Sequence, residues 1–125
     1  MPPLLAIAAG GVAGTLARFA ISSALYHPHV TFPRATLLVN LAGSLALGFV
    51  LQWAGLSEEA APALRAGLAV GFCGAFTTMS TFSWELLRLL QDRQHTLAAL
   101  YLGATVGGCL LAAWLGWRLG AGLAA

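Results

Sequence analysis

The sequence predicts an all-α integral membrane protein with four transmembrane helices, and three observations carry that prediction. Of 125 residues, 59% are hydrophobic and only 8% are charged, where a soluble domain carries roughly a quarter charged residues. Mean hydropathy is +0.84. No Asp, Glu, Lys or Arg occurs at residues 35–57, 66–84 or 96–117. Each gap is long enough to cross a hydrocarbon core at ~1.5 Å per residue.

Turn signals divide the chain into four spans within one membrane domain. The first covers about residues 4–26 and is ended by His27-Pro28-His29. A short connection carrying Pro33 leads to the second, about residues 34–53, ended by Gly55. Ser57, Glu58 and Glu59 then read as a helix start, a hydroxyl cap followed by acids at the positive end of the dipole. The third span runs over about residues 62–90. It is longer than a straight crossing needs, and Gly71 and Gly74 permit a break near Gly74. The fourth covers about residues 96–119 and is closed by Arg118 and Gly120.

The charges that remain give little direction to insertion. Four crossings put both termini on one side with Arg65 and Arg118, and leave Arg34, Arg88 and Arg93 on the other; Lys is absent. Orientation follows the Lys/Arg excess of the cytoplasmic side, and two against three is almost none. Dual insertion and an antiparallel pair of subunits are therefore expected. Small residues at close spacing (Gly10 and Gly14, Gly43 and Gly48, Gly103 and Gly107) allow backbones to approach. Four such helices enclose little space, so a transport path calls for a second subunit.

Several function classes are set aside by what the sequence lacks. Arg18 follows the first apolar stretch instead of preceding it, unlike a cleavable signal. A net charge of +2, dispersed along the chain, does not suggest nucleic acid. Cys73 and Cys109 lie in apolar segments and read as small buried thiols, without the ligand number of a metal site. The run Gly10-Gly11-Val12-Ala13-Gly14 is followed by no Lys-Ser/Thr, so it is not a phosphate loop. Catalysis finds no support.

Function is concentrated in residues 71–85, GFCGAFTTMSTFSWE, where seven consecutive hydroxyl, aromatic or thioether side chains (residues 76–82) sit in the middle of an apolar span. In hydrocarbon such groups must be partnered inside the protein, so the run either glues helices together or lines a path. Other spans add uncharged polar groups: Asn40 and Ser44 in the second, Tyr101 and Thr105 in the fourth, with Cys109 on the same stripe. Hydroxyls and an amide donate to an anion or accept from a cation, and the edges of Phe76 and Phe82 attract anions weakly. Helix–helix glue remains an equal reading on the residues alone. Glu85, the one acid within an apolar segment, is either a proton site or a structural partner near Arg88. Arg18 either snorkels or bonds to carbonyls at a helix break.

These stretches resemble the CrcB/Fluc fluoride channels. The resemblance rests on residues 71–85, on Gly10-Gly11-Val12-Ala13-Gly14-Thr15-Leu16-Ala17-Arg18-Phe19, and on Thr36-Leu37-Leu38-Val39-Asn40-Leu41-Ala42-Gly43-Ser44. It covers most of the chain. It implies a third helix broken near its centre and an antiparallel, dual-topology homodimer in the cell inner (plasma) membrane. Two fluoride pores and a shared structural Na+ go with that arrangement. The Na+ would be held by the backbone carbonyls of Gly74 and Thr77. The anion path would comprise Asn40, Phe82, Ser80, Thr81, Tyr101 and Thr105. Met79 stands where the family usually carries an aromatic ring. Arg18 and Glu85 match family positions and are assigned to structure or the vestibule. The expected activity is passive, selective export of fluoride that accumulates when HF enters and dissociates. The rivals are a small dual-topology, proton-coupled multidrug exporter, which would want a carboxylate deep in the first span, and a non-transporting assembly subunit.

Overall fold

The computed structural model describes residues 2–56 and 62–124, apart from the side chains of Leu56 and Ala124. The helix start expected at Ser57, Glu58 and Glu59 lies outside the described residues. All regular structure among the described residues is helical: α1 (Pro3–Ala24), α2 (Arg34–Leu56), α3 (residues 62–76), α4 (Met79–Gln91) and α5 (His95–Ala124). Within α3, Pro62–Ala66 is α-helical, Gly67–Cys73 is π-helical, and Gly74–Phe76 adds a last α-helical turn. Three helical stretches, Pro3–Ala24, Arg34–Gly55 and His95–Leu123, are long and apolar enough to cross a membrane. The third span of the sequence is divided between α3 and α4.

Local chemistry sets the ends. Proline occupies the first position of α1, where its missing N–H costs nothing, and the Pro2 carbonyl accepts from Leu5 and Ala6. At the C-terminus of α4, Arg93 takes a left-handed conformation (φ 58°). Its N–H reaches the Leu90 carbonyl at 3.1 Å and that of Gln94 reaches Leu89 at 2.8 Å. This pair of bonds closes the helix and turns the chain into α5. The expected stop at Arg118 and Gly120 is not one: α5 continues to Ala124. Gly120 serves close packing, since a Cβ there would run into the Phe49 carbonyl of α2.

The helices form two closely packed pairs, α1 on α3 and α2 on α5, with α4 seated against α5. Both pairs are made by backbone approach. A Cβ on Gly10 would strike the Gly67 carbonyl and one on Gly14 that of Phe72, while Gly67 and Gly71 face Ala6 and Ile7 in return. On α2, Gly48 meets Ala113 of α5, and Gly116 meets Leu45. The expectation for small residues therefore holds for Gly10, Gly14 and Gly48. Gly43 instead makes room for the Thr77 side chain, and Gly103 and Gly107 meet nothing in their own chain.

Buried apolar side chains gather at one end, where Phe82, Leu89, Ala98 and Tyr101 pack with Phe32, Leu37, Leu86 and Leu97. Many large apolar residues point outward, among them Val12, Leu16 and Phe19 on α1 and Val106 and Leu110 on α5. Lipid tails solvate these as well as a core would, so close van der Waals contact has to hold the pairs. Replacing Gly14 by Leu, with backbone on the far side and nowhere to go, is expected to lower stability by about 1–3 kcal/mol. Gly122→Ala, in open space, should cause no loss; thermal unfolding in detergent compares the two.

Candidate ion path at the helix break

The site begins with a backbone fault. Thr77 (φ −85°, ψ 159°) and Thr78 (φ −150°, ψ 114°) leave the helical region, so the third span stops at Phe76 and restarts at Met79. The break falls three residues after the expected Gly74, which is itself helical (φ −63°, ψ −38°). Glycine's freedom is not what makes it. Side chains from other positions take over the hydrogen bonds that the helix gives up.

Asn40 of α2 does most of this. Its Oδ1 accepts from the Thr78 N–H at 2.8 Å, and its Nδ2 donates to the Thr78 carbonyl at 3.1 Å. One buried amide thus satisfies both backbone groups of one residue. Thr78 then caps α4: its Oγ1 accepts from the Thr81 N–H at 3.1 Å. From α1, Arg18 Nε donates to the Ala75 carbonyl at 3.1 Å, one of the two readings the sequence left open for it. On the upstream side, the Cys73 carbonyl accepts from both the N–H and the Oγ1 of Thr77, at 3.1 and 2.9 Å.

These substitutions leave two carbonyls without their helical donors. In a continuous helix Gly74 would accept from Thr78, and Thr77 from Thr81. Both N–H groups are diverted, to Asn40 and to the Thr78 hydroxyl. The break therefore presents electron-rich oxygens at the end of α3 and the positive N-terminus of α4 within a few residues of each other.

A groove of about 360 Å³ runs along the break, and its walls include Asn40, Gly74, Thr77, Thr78, Met79, Phe82 and Thr105. Ser44, Cys73 and Cys109 line it as well. Among the described residues, Thr105 Oγ1 is the buried side-chain polar atom that has no partner. An unsatisfied hydroxyl at this depth costs about 1–3 kcal/mol and is free to donate to whatever enters the groove. Met79 lines the groove but remains 72% exposed, and Phe82 is 3% exposed.

The remaining candidates lie to one side. Thr81 and Glu85 face a second cavity, of about 400 Å³, toward the α1–α2 connection. Tyr101 is fully buried beneath both cavities; its ring meets Phe82 edge-on at 5.0 Å, and its hydroxyl donates to Glu85 Oε1 at 3.2 Å. Glu85 thus pairs with Tyr101 and not with its helical neighbour Arg88. Ser80 is exposed, its Oγ 3.4 Å from that of Thr78. The residue that sequence reasoning undervalued is Thr78, the hub of the whole arrangement. Its signal was present: a threonine three residues before Thr81, at the spacing of a helix cap.

A broken membrane helix, a neutral polar groove and no reactive constellation define a multi-pass membrane protein of the ion-conducting class, not an enzyme. Residues 5–117 match the family described as CrcB-like protein, Camphor Resistance. The chain belongs to that family. It is 48% identical over 119 residues to the fluoride-specific ion channel FluC of Pseudomonas fluorescens (strain SBW25), covering 93% of this chain and 94% of that one. It is 49% identical over 115 residues to the protein of the same name from Azotobacter vinelandii, covering 90% and 91%. The Chlorobium phaeobacteroides protein so named shares 40% over 116 residues, covering 93% and 91%.

Removing the Asn40 amide leaves two buried backbone groups unpaired, at roughly 1–3 kcal/mol each. Asn40→Ala is therefore expected to destabilise the protein more than Thr78→Ala, which forfeits a cap worth about 1 kcal/mol. Unfolding midpoints of the two variants in one detergent check the order.

Proposed function

We propose that the chain is a passive, selective fluoride channel that lets the anion leave the cytoplasm. The observation that carries the reading is the groove at the break: amide, hydroxyl and ring-edge groups with no fixed charge on its walls. Fluoride is small and strongly hydrated, so a path must replace water with donors without trapping the ion. Neutral hydroxyls, the unpartnered Thr105 above all, and the N-terminus of α4 do this at moderate strength. HF, a weak acid, enters across the lipid in acidic surroundings and ionises inside; a passive path for the anion relieves the accumulation.

The same reading includes two pores in an antiparallel, dual-topology homodimer. The near balance of arginines across the two ends supports it. So do Gly103 and Gly107, which have no neighbours in their own chain. It also includes a structural Na+ held by the Gly74 and Thr77 carbonyls. Oxygens released from helical bonding are the donor set a hard monovalent cation takes at a broken membrane helix. Two carbonyls make half a shell, and a two-fold partner would contribute the same pair. When bound, the ion supplies fixed positive charge that lowers the cost of bringing anions to membrane depth.

Purified protein in liposomes, loaded with potassium fluoride and given valinomycin, should release fluoride to a selective electrode without a proton gradient and should retain chloride. Retained fluoride, or organic cations exchanging for protons, would reject the channel. Asn40→Asp places an acceptor against the Thr78 carbonyl where a donor stood; fluoride throughput is expected to fall about tenfold or more, read in the same assay.

A further inference from the structure

The cavity of about 400 Å³ beside the groove has walls unlike those of the groove. Its charged and titratable lining comes from three parts of the chain: Tyr26 and His27 after α1, Arg34 at the start of α2, and Glu85, Arg88 and Asp92 on and just beyond α4. His29 stands outside, its ring edge-on to His27 at 5.7 Å, and its N–H bonds to His27 Nδ1 at 3.3 Å. Two of these groups are already engaged. Arg34 Nη2 donates to the Leu25 carbonyl at 3.4 Å, and Glu85 accepts from Tyr101.

The chamber leads to the groove. Thr81 lines the chamber, Thr78 lines the groove, and their hydroxyls are 3.0 Å apart. Hydroxyls therefore run without interruption from a charged mouth to the neutral path. An ion at the mouth responds to the summed charge of the wall, and that sum is unusual. Two arginines offset two carboxylates, so the formal total is zero while His27 is neutral and +1 once it is protonated. Histidine is the side chain whose charge ordinarily changes between pH 5 and 8. His27 is exposed, so bulk protons reach it.

We infer that His27 sets the charge of the chamber, so that acid makes this mouth attractive to anions and raises fluoride throughput. The inference rests on the fluoride-channel reading above. One unit charge across a water-filled chamber of this size raises local anion concentration about twofold at low ionic strength, and salt screens the effect. The direction suits the load. Acid surroundings drive HF inward, and the same protons widen the electrostatic mouth through which the anion leaves.

The test is fluoride current through the protein in planar bilayers, with equal pH on both sides taken from 7.5 to 5.5 at low ionic strength. Wild type should conduct about twofold better at the acid end, and the gain should shrink in added inert salt. His27→Gln should hold the neutral-pH current throughout, and His27→Arg the higher one, while His29→Gln keeps the response. Absence of fluoride current at every pH would reject the channel reading itself. Fluoride current that is flat with pH in wild type, or a response that survives His27→Gln, overturns the role of His27 alone.

Discussion

One buried carboxamide holds the centre of this protein together. Asn40 bonds to both the N–H and the carbonyl of Thr78, and only because of that can a helix open at membrane depth. In water, an interrupted helix loses its orphaned groups to solvent at little cost. In lipid each one must be matched inside the protein. Asparagine suits the task because its amide carries a donor and an acceptor side by side, the same pair that a peptide presents. Everything functional follows from the opening: the freed carbonyls of Gly74 and Thr77, the exposed start of α4, and the groove between them.

The rest of the scaffold explains how a protein so poor in polar contacts keeps that amide in place. Apolar burial contributes little to helix association when the surrounding medium is as apolar as the side chains. The helices instead touch backbone to backbone, Gly10 and Gly14 against Gly67 to Phe72, and Gly48 and Gly116 along the α2–α5 seam. Such contacts are stiff, because no flexible side chain lies between the two chains to absorb a displacement. Arg18 extends the same logic across the pair α1–α3 by binding the Ala75 carbonyl. The break is thus fixed from α1 on one side and from α2 on the other.

Much of this was legible in the sequence. Charge-free gaps set the number of spans, and the polar run at residues 76–82 marked the site, because both signals are properties of composition at a known depth. The position of the break was not legible. Glycine suggested Gly74, but the deciding partner, Asn40, lies 38 residues away from Thr78 and no local rule connects them. The π-helical stretch was equally invisible: its residues differ little in propensity from an α-helix, and tertiary contact with α1 decides between the two. Tyr101 illustrates a third limit. Its place on a polar stripe was correct by spacing, yet its ring is sealed against Phe82 and its hydroxyl turned to Glu85, since spacing gives a direction and not a partner.

The π-helical segment Gly67–Cys73 also fixes how the chain tolerates changes in length. A π turn accommodates an extra residue relative to an α turn, so the stretch works as a phase adjuster between the start of α3 and Thr78. Removing one residue there would let the segment relax to an ordinary helix and rotate all that follows by about 100°, one residue's turn at 3.6 residues per turn. Loops at the membrane surface absorb such changes by slack. Here the count of residues between Pro62 and Thr78 is an angular setting, and the chain's length is conserved by geometry before it is conserved by function.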